Sequence, residues 1–233
     1  MKIAVCLSGI PKYWEKSMIS IKQFLPNADV FIHMWKIEHS DEINENTAYS
    51  YNKYTDIANV ECKNIVDAYN TKKFVIQNFS TRLNNFVCEN KKYHELIDDI
   101  QGSNSVAQLS MFYSIREACR LKSEYERDNG FLYDIVFRIR FDSEIINFID
   151  LHSCVEDCVY IPQESDWGGI NDQFSFGSSK IMDMVCECYT FYEPCLKITK
   201  FYGPEVVFKQ HLSSFLDTSR IKRIDAKIKI NNE

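Results

Sequence analysis

Apolar and polar positions follow two rhythms along this chain, and the switches between them outline its elements. Residues 3–7, IAVCL, form an all-apolar run that ends at Ser8-Gly9, the mark of a buried strand feeding a turn. From Tyr13 to Leu25 the apolar positions Trp14, Met18, Ile21 and Leu25 recur at helical spacing along one face. Pro26-Asn27 stops that pattern, and residues 28–35, ADVFIHMW, return to a strand. Strand, helix and strand in this order form a βαβ unit, predicted right-handed with parallel strands.

The polar stretch 38–56 predicts a loop or insertion. A short helix over 63–69 and a strand over 73–77 extend the parallel set, while 78–104 shows no clear period. Residues 105–126 predict the longest helix, apolar on a wide face and stopped by Asn129-Gly130. A β-rich run, YDIVFRIRF, follows at 133–141. Further strands are expected at 158–162 and 173–177, and helices at 179–192 and 205–216. Alternation at the front and a less regular rear half predict an α/β fold with a mixed sheet.

Composition narrows the classes. With 45% hydrophobic residues and a length of 233, the chain can bury a sizeable core as one domain. A net charge of −6 argues against a general nucleic-acid binder, although 220–230, RIKRIDAKIKI, is locally basic. That segment suits either a weak membrane-surface contact or a terminal strand. No stretch approaches the roughly 18 apolar residues of a membrane span, and no secretory leader is evident, so a cytoplasmic protein is expected. The nine cysteines lack CxxC pairs and sit among apolar neighbours, which predicts reduced core residues.

Two strand ends carry candidate chemistry. Ser8-Gly9-Ile10-Pro11-Lys12 is a turn into a helix where Gly9 could admit a ligand to the backbone; an ordinary turn is the alternative. Neither GxGxxG nor GxxxxGK[ST] is present. The second is FRIRFDSE, 137–144. If extended, it places Arg138, Arg140, Asp142 and Glu144 on one face. The two acids could share a hard divalent cation and the arginines could meet an anion; a strand with internal ion pairs is the alternative.

Four segments, MKIAVCLSGIPKYWE, FLPNADVFIHMW, the run from Ser105 to Asp142, and NDQFSFGSSKIMD, together resemble a bacterial and viral group of glycosyltransferases with the GT-A fold. Those enzymes attach sugars to lipopolysaccharide, capsule or other surface glycans. The resemblance implies a single GT-A-like domain with a nucleotide-binding half, 1–104, and a metal and acceptor half, 105–233. It also implies a UDP-sugar or similar nucleotide-sugar donor, a glycan or lipid-linked glycan acceptor, and Mn²⁺ or Mg²⁺. On this likeness Ser8, Gly9, Lys12, Gln108, Arg138 and Arg140 bind the donor, with a solvent-facing Gln108 as the alternative. Asp142 and Glu144, a DxE where the family carries DxD, would hold the metal with His211. Asp172 would face the acceptor hydroxyl and act as general base in an inverting reaction, a turn-capping Asp being the alternative. His33 would approach the donor or be a satisfied core histidine. Lys12 stands where the group more often has Arg and lacks the guanidinium fork. The rival readings are a non-catalytic nucleotide- or glycan-binding module of the same fold, and a metal-dependent phosphohydrolase.

Overall fold

The computed structural model describes residues 1–38, 61–97, 105–147, 149–198 and 203–231; from residue 39 on, the loop expected at 38–56 lies outside them. The first half comprises β1 (Ile3–Gly9), α1 (Trp14–Phe24), β2 (Asp29–Lys36), α2 (Cys62–Tyr69), β3 (Lys73–Asn78) and α3 (Phe79–Ile97). The long α4 (Ser105–Asn129) leads to β4 (Ile135–Arg140), β5 (Ser143–Ile145), β6 (Val159–Pro162) and β7 (Phe174–Gly177). Then come α5 (Ser179–Val185), a 3-10 turn at Cys186–Tyr189, α6 (Tyr192–Ile198), α7 (Pro204–Ser213), β8 (Ile221–Ile224) and β9 (Ile228–Ile230).

A seven-stranded sheet in the order β3-β2-β1-β4-β7-β6-β8 takes strands from both halves of the chain. The strands β3, β2, β1 and β4 are parallel to one another, whereas β7 runs antiparallel to both β4 and β6. The expected mixed α/β sheet is therefore present. The chain moves outward from β1 to β2 and β3, then returns to lay β4 on the other side of β1. This reversal creates a topological switch point at the carboxyl ends of β1 and β4, the place where open α/β sheets collect ligands.

Helices cover both faces. Ala4, Cys6, Phe31 and Val136 face a core built with α3 to α7, and Val5, Leu7, Ile32 and Phe137 face one built with α1 and α2. The alternation of strand side chains makes the division, since neighbouring positions point to opposite faces. Phe137 is wholly buried, its ring 4.8 Å from that of Phe176; burying such a side chain contributes about 1.5–3 kcal/mol. α4 ends as its sequence predicts: Gly130 takes a φ of 69° and the Phe131 N–H reaches back to the Glu126 carbonyl at 3.2 Å. Lys122, buried within α4, donates to Glu126 Oε2, Ser179 Oγ and Asp183 Oδ1 at 2.9, 2.6 and 2.6 Å, which ties α4 to α5.

Three expectations need correction. The region without a clear period contains α3, which starts directly from β3; the Asn78 carboxamide accepts the Ser80 N–H at 2.9 Å and so caps the helix start. The single helix expected at 179–192 divides into α5, a 3-10 turn and the start of α6. The strand expected through 137–144 breaks at Phe141-Asp142, so its four charges do not form one extended face. The basic segment 220–230 folds as β8 and β9, paired with β6 and β5. All nine cysteines are unbridged, and six of them are buried, as expected. No described helix is long and apolar enough to cross a membrane.

Candidate functional site

β1 ends at Gly9 with a φ of 109°, a conformation suited to glycine, and open space surrounds the place a Cβ would occupy. The Gly9 N–H donates to Ser114 Oγ at 2.8 Å, fastening the turn to α4. Ser8 lies between His33 of β2 and Arg140 of β4 in the sheet register. His33 is a satisfied core histidine: Nε2 lies 3.1 Å from Gln77 Oε1 and Nδ1 lies 2.7 Å from Ser114 Oγ. Burial lowers its pKa to about 4, against the opposing pull of the Gln77 bond, so the ring is neutral at physiological pH.

Across the switch point, Arg140 grips Asp142 through Nε to Oδ1 at 2.9 Å and Nη2 to Oδ2 at 2.8 Å. Lys12 comes from the β1 turn and places Nζ 3.2 Å from the same Oδ2. Asp142 is almost wholly buried. Burial by itself would raise its pKa, but Arg140 and then Lys12 outweigh that and hold the carboxyl below its ordinary value. Two cations meet one carboxylate at the crevice, where 28% of the Arg140 side chain meets solvent.

Acidic groups stand on the other side. Asp166 is held bidentately by Arg223 of β8, at 2.9 and 2.7 Å, and also accepts the Asn171 N–H at 2.9 Å. Gly169 packs so tightly on the first turn of α7 that a Cβ would stand 2.1 Å from the Glu205 carbonyl carbon; the Ile170 N–H donates to the Glu205 carbonyl at 3.1 Å. This clasp joins the loop carrying Asp172 to the helix start carrying Glu205. Asp172 is 3% exposed and its Oδ2 has no hydrogen-bond partner among the described residues. Arg138, 2% exposed and within reach of its charge, has no hydrogen-bond partner at any guanidinium nitrogen among the described residues. Burial lowers the Arg138 pKa and the Asp172 charge opposes that.

Glu205 is half-buried. Burial first, and the Asp172 carboxylate second, push it up to about 7, while its own backbone N–H and Arg140 pull downwards. A carboxyl with that pKa can take up and release a proton at neutral pH, as a general base must. Its side chain is also partly open to solvent.

The structure therefore brings together Ser8, Gly9, Lys12, Arg140 and Asp142, with Asp172 adjoining through its fields on Glu205 and Arg138. It does not bring the other expected residues with them. Arg138 is buried in the core, between Cys6 and Ser175 on the flanking strands. Gln108 is 1% exposed and accepts the Tyr192 hydroxyl at 3.2 Å, joining α4 to α6. His211 Nε2 donates to the Met184 carbonyl at 2.9 Å, with its ring packed on Phe191 and Phe215.

The expected metal set does not fit this arrangement. Both Asp142 oxygens are engaged by cations, and Glu144 follows across a turn in β5. His211 donates from Nε2 and keeps its ring lone pair on Nδ1, buried between Phe191 and Phe215; among the described residues it shares no metal-binding group with Asp142 and Glu144. Among the described residues no group of three or more His, Cys, Asp or Glu could hold a metal ion. Sequence reasoning placed Glu205 only beside His211 on the last helix, as part of a metal site, and not as a base. Its signal is Gly203-Pro204-Glu205: Pro opens a helix and the next residue lies in its first turn. A separate cavity of about 430 Å³ opens beside the amino ends of β1 and β4, near Met1, Asp134 and Tyr160, away from this crevice.

A family model described as a domain of unknown function (DUF7796) matches residues 68–188, just over half of the chain. The matched span includes Arg138, Arg140, Asp142 and Asp172, while Lys12 and Glu205 lie outside it. No curated protein matches the chain.

Proposed function

Because the chain belongs to the DUF7796 family, whose description assigns no activity, we propose a function from the crevice itself: transfer of a sugar from a nucleoside-diphosphate donor to a hydroxyl acceptor. The observation that carries this reading is the convergence of Lys12 and Arg140 on the β1/β4 switch point, with Glu205 close enough for the Arg140 charge to act on it. The resemblance to GT-A glycosyltransferases supports the same assignment.

In the proposed reaction the acceptor hydroxyl gives its proton to the Glu205 carboxylate as its oxygen bonds to the anomeric carbon. The bond from that carbon to the diphosphate oxygen breaks, and the electron pair leaves with the nucleotide. Lys12 and Arg140 stabilise the negative charge that develops on the departing diphosphate. Burial, and after it the Asp172 charge, keep the proton affinity of Glu205 near neutrality, and Arg138 offsets the charge of Asp172 within the core. Asp142 positions the two cations. No step in this scheme runs through a metal ion.

The test is a thermal-shift series with UDP, GDP, dTDP and CMP, each with Mn²⁺, Mg²⁺ or EDTA. One nucleoside diphosphate is expected to stabilise the protein by about 2.7 kcal/mol at a hundredfold its Kd. The effect should persist in EDTA and vanish in Arg140→Ala. Absence of a shift with every nucleotide overturns the donor site, and a shift lost in EDTA overturns the metal-free form of the proposal. The stabilising nucleotide then defines the nucleotide-sugar series for a direct transfer assay.

A further inference from the structure

The loop clasped against α7 carries an indole that the fold does not use. Trp167 is 79% exposed and has a φ of 41°, followed by Gly168 at 84°. Left-handed backbone is an outlier for a bulky side chain and persists only where the surroundings enforce it. Here the surroundings do so on both sides. The Gly169 N–H closes the turn onto the Asp166 carbonyl at 2.6 Å, Arg223 clamps the Asp166 carboxylate, and Gly169 is seated on the α7 backbone. The turn is thus held firmly while the side chain at its tip projects into solvent.

We infer that Trp167 is the platform on which a sugar ring of the acceptor stacks, with an acceptor hydroxyl directed to Glu205. This deepens the transferase reading and rests on it for the role of Glu205. The chemistry of the surroundings favours a carbohydrate. An aromatic face is electron-rich and attracts the polarised C–H face of a pyranose, while the ring hydroxyls need nearby hydrogen-bond acceptors. The same loop leads to Asp172, whose buried Oδ2 has no partner among the described residues, and its clasp holds it beside Glu205. Glu164 and Glu205 also offer carboxyl oxygens at the rim as acceptors for ring hydroxyls, while the Asp166 carboxylate is taken up by Arg223.

The chain has three tryptophans, and their exposure separates them: Trp35 is 2% exposed, Trp14 is half-buried, and Trp167 stands in solvent. Acrylamide quenching of the full chain, compared with Trp167→Phe, therefore isolates the indole at the loop tip. The probes are methyl glycosides of glucose, galactose, mannose, rhamnose and N-acetylglucosamine at millimolar concentration, with phosphatidylglycerol vesicles as a separate arm. At least one glycoside is expected to reduce the Trp167 quenching slope twofold or more. Saturation-transfer NMR with that glycoside should lose its signal in Trp167→Ala and retain it in Trp167→Phe.

Shielding by none of the glycosides, or shielding by vesicles alone, overturns the platform. An NMR signal that survives Trp167→Ala also overturns it. These readouts require no turnover, so they are independent of the donor assay. Glycoside shielding without nucleotide binding would keep the platform and remove the transferase; nucleotide-sugar turnover without shielding would do the reverse.

Discussion

Arg140 holds Asp142 by two parallel hydrogen bonds, 2.9 and 2.8 Å long, across the single residue Phe141. A strand continued through this point would separate the two side chains by one pleat. The break after Arg140 instead folds the carboxylate back to the guanidinium, where Lys12 joins it from β1. The pair is therefore part of the switch point's architecture, and its acid is committed to holding cations.

Asp142→Asn should cost about 3 kcal/mol, because it leaves two cations facing one neutral amide in a largely buried setting. The pH dependence has a defined sign. The carboxyl pKa is lower in the folded chain, so its stabilisation is fully present above the ordinary value of 3.8 and is lost as pH falls through the lower folded value. Urea unfolding at pH 7 and at steps down to pH 2 should show wild type losing more stability than Asp142→Asn in the acid range. Equal losses would separate Asp142 from the acid transition.

Glu205 has the opposite linkage. Its folded pKa of about 7 exceeds the ordinary 4.5, so the folded state binds more protons between those values and loses stability as pH rises through them. Glu205→Gln should remove a loss on the order of 2 kcal/mol across that interval. Transfer by the wild type should rise with pH through about 7, and the variant should transfer roughly 10²–10⁴-fold more slowly. Parallel stability curves for the two chains would show that Glu205 does not titrate there.

His211→Ala should lower stability by about 2–4 kcal/mol through the cavity it leaves between Phe191 and Phe215. It should leave nucleotide affinity unchanged, with or without Mn²⁺. Calorimetry showing a metal-dependent loss of affinity would return His211 to the site.

Lys122→Ala should destabilise by about 3–5 kcal/mol, since Glu126 and Asp183 lose the cation between them. Lys122→Met keeps most of the volume and loses the same charge. Similar urea midpoints for the two variants would assign the cost to electrostatics, and a clear rescue by Met would assign it to packing.

Much of this frame is legible in the residues. IAVCL and ADVFIHMW declare buried parallel strands because both of their faces are covered, and the wide apolar face of α4 with Gly130 behind it declares a long capped helix. The helix α3 is hidden because no loop separates it from β3; its marker is Asn78, the cap that opens the stretch without a clear period. Arg138 and Arg140 look equivalent in the string RIR. The sheet separates them, setting one between Cys6 and Ser175 and the other beside Ser8 at the strand end. Glu205 could not be matched to Asp172 by spacing, because the contact joining them is between the Gly169 and Glu205 backbones, which no side-chain pattern records.

The strand order also sets a timetable for synthesis. β1 is an interior strand of the sheet, yet its partner β4 arrives about 130 residues later, with Ile3 opposite Ile135. At translation rates of about 5–20 residues per second, the nascent β1 waits roughly 7–26 s with one backbone edge unpaired. During that wait, Ala4 to Leu7 offer an apolar strand edge on which another chain can pair, until Arg140 has emerged and β4 covers it.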